Sequence, residues 1–288
     1  MPELPEVETI RRGLEKYLVG HKILDVEVRV AKLFEGDSNK VIGARVKEIR
    51  RFGKGLVIDL SNRYSLAIHI KLTGQLIYRG KETKGVKVSR EKVGDELPNK
   101  STHIIFKLDK NAYLYYNDRR RFGWIRVVKT EDVSKMPFFK NMGPEPFPSA
   151  GSGQVKLTLE LFKKIISGKK TVIKPLLMDQ TRIGGIGNIY ANDALFLAEI
   201  SPKRRAETLS DEELSKLYKA VLEVMEKSFK YGGVSELSFV NVLGHEGSYQ
   251  EHALAYGKKG EKCSVCGGKI EKIFLAGRGT FFCPKHQK

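Results

Sequence analysis

The chain has no apolar run approaching the roughly 20 residues that a bilayer crossing needs, so no candidate membrane helix is present in the sequence. Cysteine is scarce: there are three in 288 residues, all beyond residue 262, too few for a disulfide framework. The opening MPELPEVETI is acidic and lacks a signal peptide's apolar stretch, which argues against secretion and predicts a cytoplasmic protein. Acidic residues are also in deficit. Against 52 Lys+Arg stand 34 Asp+Glu, leaving a formal charge of +18. Such a surplus attracts polyanions over long range, and nucleic acid is the commonest one in a cell. A solubilising lysine-rich surface produces the same count, so charge indicates a class of partner and not a function. At 41% hydrophobic and 30% charged residues the balance is that of a globular protein long enough for two cores.

The period of the apolar residues changes along the chain. Pro5 suits the first turn of a helix, where a missing N–H costs nothing, and Val7, Ile10, Leu14, Tyr17 and Leu18 fall on one helical face. From Ile23 the pattern turns to short β runs at 46–49, 56–60, 66–70, 104–108, 113–116 and 124–128, which need a sandwich or a closed barrel to bury their inward side chains. Residues 131–156 hold Pro137, Pro144, Pro146 and Pro148 with Gly151 and Gly153, and mark a linker. Helical runs follow at 157–167, 172–178, 188–198 and 210–231, then a lid-like stretch at 232–248 and a small C-terminal module. The predicted division is a first domain over 2–130, the linker 131–156, a helical domain with the lid over 157–248, and the module 249–288.

That module carries the strongest local signal. Cys263 and Cys266, then Cys283 and His286, form two paired clusters sixteen residues apart. Two such knuckles joined by a hairpin suit a tetrahedral zinc ion, and all three cysteines are consumed by it. With four protein ligands the metal is structural, since catalysis needs an open position. Between the clusters, Arg278 sits among glycines, where a guanidinium can approach a phosphate closely; a solvated turn arginine is the alternative. The run Thr181–Asn188 is a glycine-rich double turn ahead of a helix, with Asn188 as the expected N-cap and a phosphate site at the helix start.

Chemistry is also available at the beginning of the chain. Aminopeptidases remove Met before a small residue, which would expose the amine of Pro2. An α-amino group has a pKa of about 7.8, so a sizeable fraction is uncharged at neutral pH, and an adjacent helix start disfavours its charged form. A secondary amine attacking a sugar carbon gives a cationic iminium, an electron sink for eliminating a neighbouring phosphate. Glu3, next in the chain, can deliver or accept the proton. Without further context the opening segment equally begins an ordinary helix.

The context is the fixed order of MPELPEVETIRRGLE, the Gly53-Lys54-Gly55 turn, the arginine run of Tyr116–Gly123, GGIGNIYANDALF and the terminal knuckles. Together they resemble the formamidopyrimidine-DNA glycosylase branch of the family that also contains endonuclease VIII, over essentially the whole chain. The resemblance implies an α+β architecture: a β-sandwich with an N-terminal helix, a helix-two-turn-helix domain and a zinc-binding β-hairpin. It implies a DNA repair enzyme that excises oxidised bases and cuts the strand by β- and δ-elimination, acting as a monomer on double-stranded DNA, nucleoid-associated in a prokaryote. Pro2 would attack C1′ and Glu3 would act as acid/base, with Glu6 a supporting carboxylate and Lys54 contacting the lesion or its phosphate. Asn188 and Arg278 would hold phosphates, Leu72, Arg120 and Phe122 would fill the gap left by the extruded nucleotide, and His69 would also face DNA. The chain departs from the family in having His286 where a fourth cysteine is common, Leu72 for methionine and Arg119 for proline. Its loop at 234–247 has no clear match to 8-oxoguanine readers. An endonuclease VIII-like preference for oxidised pyrimidines and a non-catalytic DNA-binding protein are the alternatives.

Overall fold

The computed structural model describes all 288 residues, which form two compact units. The first comprises Met1–Lys140, Ser149–Ser152 and Tyr231–Ser248. It opens with helix α1 (Leu4–Leu18), whose buried Val7, Ile10, Leu14 and Leu18 recur at helical spacing. By burial each contributes roughly 1.5–3 kcal/mol. The helix stops at Val19 and Gly20, where the Gly20 N–H leaves the helical ladder for the Val46 carbonyl at 2.9 Å.

Nine strands follow: β1 (Ile23–Val28), β2 (Phe34–Glu35), β3 (Val46–Phe52), β4 (Gly55–Leu60), β5 (Tyr64–His69), β6 (Gly74–Arg79), β7 (Thr102–Leu108), β8 (Tyr113–Asp118) and β9 (Trp124–Lys129). They make a four-stranded sheet in the order β1-β7-β8-β6 and a five-stranded sheet in the order β2-β9-β5-β4-β3. Leu56, Ile58, Leu66 and Ile68 of one sheet meet Leu76, Tyr78, Phe106, Leu114 and Tyr116 of the other in a single core, to which α1 adds its apolar face. The two-sheet sandwich is therefore present, and the barrel is not.

Two expectations need revision. Residues 131–156 are more than a linker: a 3-10 turn (Thr130–Lys135) and the short helix α2 (Pro137–Lys140) stay with the sandwich, because Phe139 is buried and Phe138 packs edge-on against His69 and Trp124. The lid-like stretch also belongs to the first unit instead of the helices. Phe239 and Val242 enter the sandwich core, Val240 joins Ile77 and Val93, and the Tyr78 N–H donates to the Val242 carbonyl at 2.8 Å.

The second unit comprises Asn141–Pro148, Gly153–Lys230 and Tyr249–Lys288. Its helices are α3 (Leu159–Ile166), α4 (Ile173–Met178), α5 (Asn188–Leu197) and α6 (Asp211–Lys230), and its hairpin pairs β10 (Glu271–Leu275) with β11 (Arg278–Phe282). Helix α5 is buried on nearly every side, packed by α4, α6 and β11. Asp193 on it is fully buried and accepts N–H bonds from Leu254, Ala255 and Tyr256 and the Tyr249 hydroxyl, so one carboxylate anchors the whole approach to the hairpin. No helix is long and apolar enough to cross a membrane.

Candidate active site

In the first unit the chemistry gathers around the start of α1. Pro2, Glu3, Glu6 and Lys54 are all buried. The Glu6 carboxylate accepts the Glu3 N–H at 2.7 Å through one oxygen and the Val234 N–H at 2.9 Å through the other. It thereby satisfies an unpaired donor at the helix start and ties the 231–248 segment to it. The amino group, here on Met1, is held below its ordinary pKa, first by burial and also by the charge of Lys54; Glu3, Glu6 and Glu236 oppose the shift. Three sequence-predicted residues thus surround the chain's amine, in an environment that favours its uncharged, nucleophilic form. Glu236 is a fourth neighbour that spacing does not reveal.

Lys54 occupies the two-residue turn between β3 and β4, where Phe52 pairs with Gly55. The turn is braced by a buried pair that no sequence motif marks. Arg51, 1% exposed, donates through Nε to Glu8 of α1 at 2.9 Å and through Nη1 to the Gly53 carbonyl at 3.2 Å. Burial pushes the Glu8 carboxyl up, but the charge and hydrogen bond of Arg51 prevail and hold it below the ordinary range. The link fixes the Lys54 turn against the helix whose N-terminus carries the amine. His69 is buried and neutral: its pKa falls to about 3, first through burial and then through the charges of Lys71 and Lys54. Its Nδ1 accepts the Lys71 N–H at 2.9 Å, so it shapes the turn that presents Leu72. Leu72 is half-buried, whereas Arg120 and Phe122 are exposed, with the guanidinium 4.8 Å from the Phe122 ring centroid.

The second unit builds a separate cluster. Gly187 caps α5 and Asn188 is its first residue, which corrects the expected N-cap. The asparagine side chain is committed elsewhere: Oδ1 accepts Lys174 Nζ at 2.7 Å and Nδ2 donates to the Gly279 carbonyl at 3.0 Å. Lys174, 1% exposed, also donates to Thr280 Oγ1 at 2.6 Å and to the Gly279 carbonyl at 3.3 Å. Asn192 adds a bond from the Phe281 N–H at 2.7 Å. The start of α5 is thereby fastened to β11, whose first residue is the exposed Arg278. Arg278 follows Ala276 and Gly277, both at positive φ, a two-residue turn that matches the twist of the hairpin. In the double turn before α5, Gln180 bonds the Met178 and Ile186 carbonyls and the Gly185 N–H, so one side chain sets the loop's shape. Neither Lys174 nor Gln180 stands out in the sequence; the nearest signal is their position flanking the glycine-rich run.

The Sγ atoms of Cys263, Cys266 and Cys283 lie within 4.8 Å of one another. That spacing fits thiolates sharing one tetrahedral zinc ion at Zn–S bonds of about 2.3 Å. His286 stands outside this trio, on the turn where its own N–H bonds the Cys283 carbonyl at 3.1 Å. Its Nε2 lies 3.1 Å from the Phe196 carbonyl, a bond of the kind a metal-bound histidine makes through its second nitrogen. Bound zinc would join the two knuckles and supply no reactive position.

Three family descriptions match consecutive parts of the chain: the formamidopyrimidine-DNA glycosylase N-terminal domain over residues 1–125, the H2TH domain of that enzyme over 142–239, and a zinc finger found in FPG and IleRS over 260–285. A formamidopyrimidine-DNA glycosylase of Desulforamulus reducens is 38% identical, covering 100% of this chain and 99% of the relative, and one of Pelotomaculum thermopropionicum is 36% identical with the same coverage. Among solved structures, a point mutant of the Lactococcus lactis FPG in complex with Fapy-dG-containing DNA has a TM-score of 0.86 at 33% identity and full coverage of both chains. The L. lactis enzyme with abasic-site DNA gives 0.85 at the same identity, covering 99% of each chain. By fold, site and sequence the chain belongs to the formamidopyrimidine-DNA glycosylase family and is a zinc-finger DNA glycosylase.

Proposed function

We propose that this glycosylase removes oxidised purines and cleaves the strand at the resulting abasic site, using the amine that loss of Met1 exposes on Pro2. The observation that carries the reading is the clustering of Pro2, Glu3, Glu6 and Lys54, all buried at the start of α1, where burial holds the amino group of Met1 below its ordinary pKa against the opposing charges of Glu3 and Glu6. The nitrogen lone pair attacks C1′ of the extruded nucleotide, the sugar ring opens with Glu3 serving its oxygen, and the base leaves. The resulting iminium carries the charge that draws electrons from C2′, so loss of a proton there expels the 3′ phosphate. Lys54, Asn188 and Arg278 supply positive charge and hydrogen bonds for phosphates. Leu72, Arg120 and Phe122 take the place of the lost stacking, whose disruption costs a few kcal/mol.

A wider lesion range has its own support, since one solved relative is an L. lactis enzyme complexed with DNA containing an oxidised pyrimidine. We therefore place oxidised pyrimidines as secondary substrates. Borohydride trapping on matched duplexes carrying formamidopyrimidine, 8-oxoguanine, an oxidised pyrimidine or an abasic site tests both readings. The expected result is a covalent adduct on all four, fastest on the purine lesions and the abasic site. An N-terminal extension that buries the amine in a peptide bond abolishes trapping; undiminished trapping removes Pro2 from the mechanism. Glu3→Gln keeps DNA affinity and loses base excision, so full excision in that variant excludes Glu3.

A further inference from the structure

Leu72 lies on the turn between β5 and β6, whereas Arg120 and Phe122 lie on the turn between β8 and β9. A single hydroxyl joins the two turns. Thr73 Oγ1 donates to Asp118 Oδ1 and accepts the Arg120 N–H at 3.0 Å. Asp118, completely buried, also takes the Arg120 N–H on Oδ1 at 3.2 Å, and on Oδ2 the N–H groups of Phe122 at 3.0 Å and Gly123 at 2.8 Å. One carboxylate therefore collects donors from both turns.

The seam between them leaves no room for adjustment. A Cβ added at Gly123 would stand 1.9 Å from the Tyr116 hydroxyl and 2.8 Å from the His69 carbonyl, and one at Gly74 would stand 2.9 Å from the same Tyr116 hydroxyl. Each turn also holds a non-glycine residue in the left-handed region, Lys71 at φ 50° and Arg121 at φ 55°. Such conformations persist only where surrounding bonds over-determine them. The Leu72 carbonyl is held from a third side by the Ser238 hydroxyl at 3.0 Å. Outward from this fixed base project the half-buried Leu72 and the exposed Arg120 and Phe122.

We propose that Thr73 and Asp118 are positioning residues that lock Leu72, Arg120 and Phe122 into one rigid probe, which enters the duplex as a unit when a base is extruded. The inference rests on the gap-filling role proposed above for those three side chains. A preorganised probe loses less conformational freedom on insertion than three independent side chains, so severing the link slows extrusion while leaving the chemistry intact.

The test is Thr73→Val, which keeps shape and removes the bridging hydroxyl, assayed in single turnover on two duplexes: one with the oxidised purine that the wild type excises, the other with a preformed abasic site. Excision of the base is expected to slow about tenfold, the loss of one hydrogen bond to a charged group. Strand cleavage at the abasic site, where no base has to leave the stack, stays at the wild-type rate, and Thr73→Ser restores excision. Leu72→Ala and Phe122→Ala run alongside. Wild-type excision in Thr73→Val while those two are slow overturns the rigid probe and leaves gap filling standing. Wild-type excision in all three overturns both. Equal loss on the two substrates marks a general disturbance of the site and overturns the proposal as well. Absence of any product with the wild type overturns the functional reading beneath it.

Discussion

At the scale of single residues, the partners of the reactive groups matter as much as the groups. Lys174 holds a buried ammonium between α4, the first residue of α5 and β11, with Asn188 and Thr280 as its acceptors. Removing such a donor alone deprives the acceptors Asn188 Oδ1 and Thr280 Oγ1 of their ammonium partner, at a cost of roughly 1–3 kcal/mol. Lys174→Met is therefore expected to lower the melting temperature by several degrees. It frees Asn188 and the β11 backbone to move, so affinity for abasic-site DNA falls roughly tenfold, the cost of losing one charged hydrogen bond. Fluorescence anisotropy and a thermal melt on the same sample measure both; unchanged affinity shows that Asn188 needs no such support. The three cysteines are legible in the sequence because their spacing is a local motif, whereas Pro2, Glu3 and Lys54 are singled out only by the family resemblance that the order of motifs along the chain carries. Lys174, Arg51 and Asp118 are marked by neither, since their meaning lies in partners that only folding brings close: Thr280 is 106 positions from Lys174, and Glu8 is 43 from Arg51.

Elements differ in how much of their stability is their own. Helices α3 to α6 fall within about two residues of the expected spans; the apolar faces of α3 and α6 repeat at helical period, whereas α5, buried on nearly every side, is marked instead by the glycine-rich run ahead of it. Strand β6 is absent from the runs read in the sequence, although Leu76, Ile77 and Tyr78 are all fully buried. Ile77 is covered by Val93 and Val240, a layer contributed by loops far away in sequence. The hairpin β10–β11 stands at the other extreme: two strands alone are marginal in water. It has a small cluster of Ile270, Phe281 and Cys283 against Phe196, the bonds to Lys174 and Asn192, and the thiolate site. Since structural zinc contributes folding energy directly, chelation is expected to release one zinc ion per chain and to expose the amides of residues 271–282 to hydrogen exchange. The amides of α6 keep their protection. Hairpin amides that stay protected after metal release would assign the stability to the apolar cluster instead.

For the whole molecule, the net charge of +18 sets the conditions under which it meets DNA. Neutralising phosphates releases condensed counterions, so affinity falls with salt at a logarithmic slope close to the number of phosphate contacts. Charge spread over a surface raises the encounter rate, but only groups seated on phosphates enter that slope. Arg278 is exposed at the head of β11, on a turn whose geometry is fixed by Ala276 and Gly277, and it has no carboxylate partner among the ion pairs. Arg205, by contrast, is paired with Glu207 at 2.6 Å. Arg278→Ala is therefore expected to weaken binding to lesion and undamaged duplexes alike and to reduce the salt slope by about one unit, whereas Arg205→Ala changes it by much less. Titrations at four salt concentrations separate the two effects. A weaker affinity with an unaltered slope would mean that Arg278 shapes the hairpin without touching a phosphate, and the attraction would then belong to the surface charge as a whole.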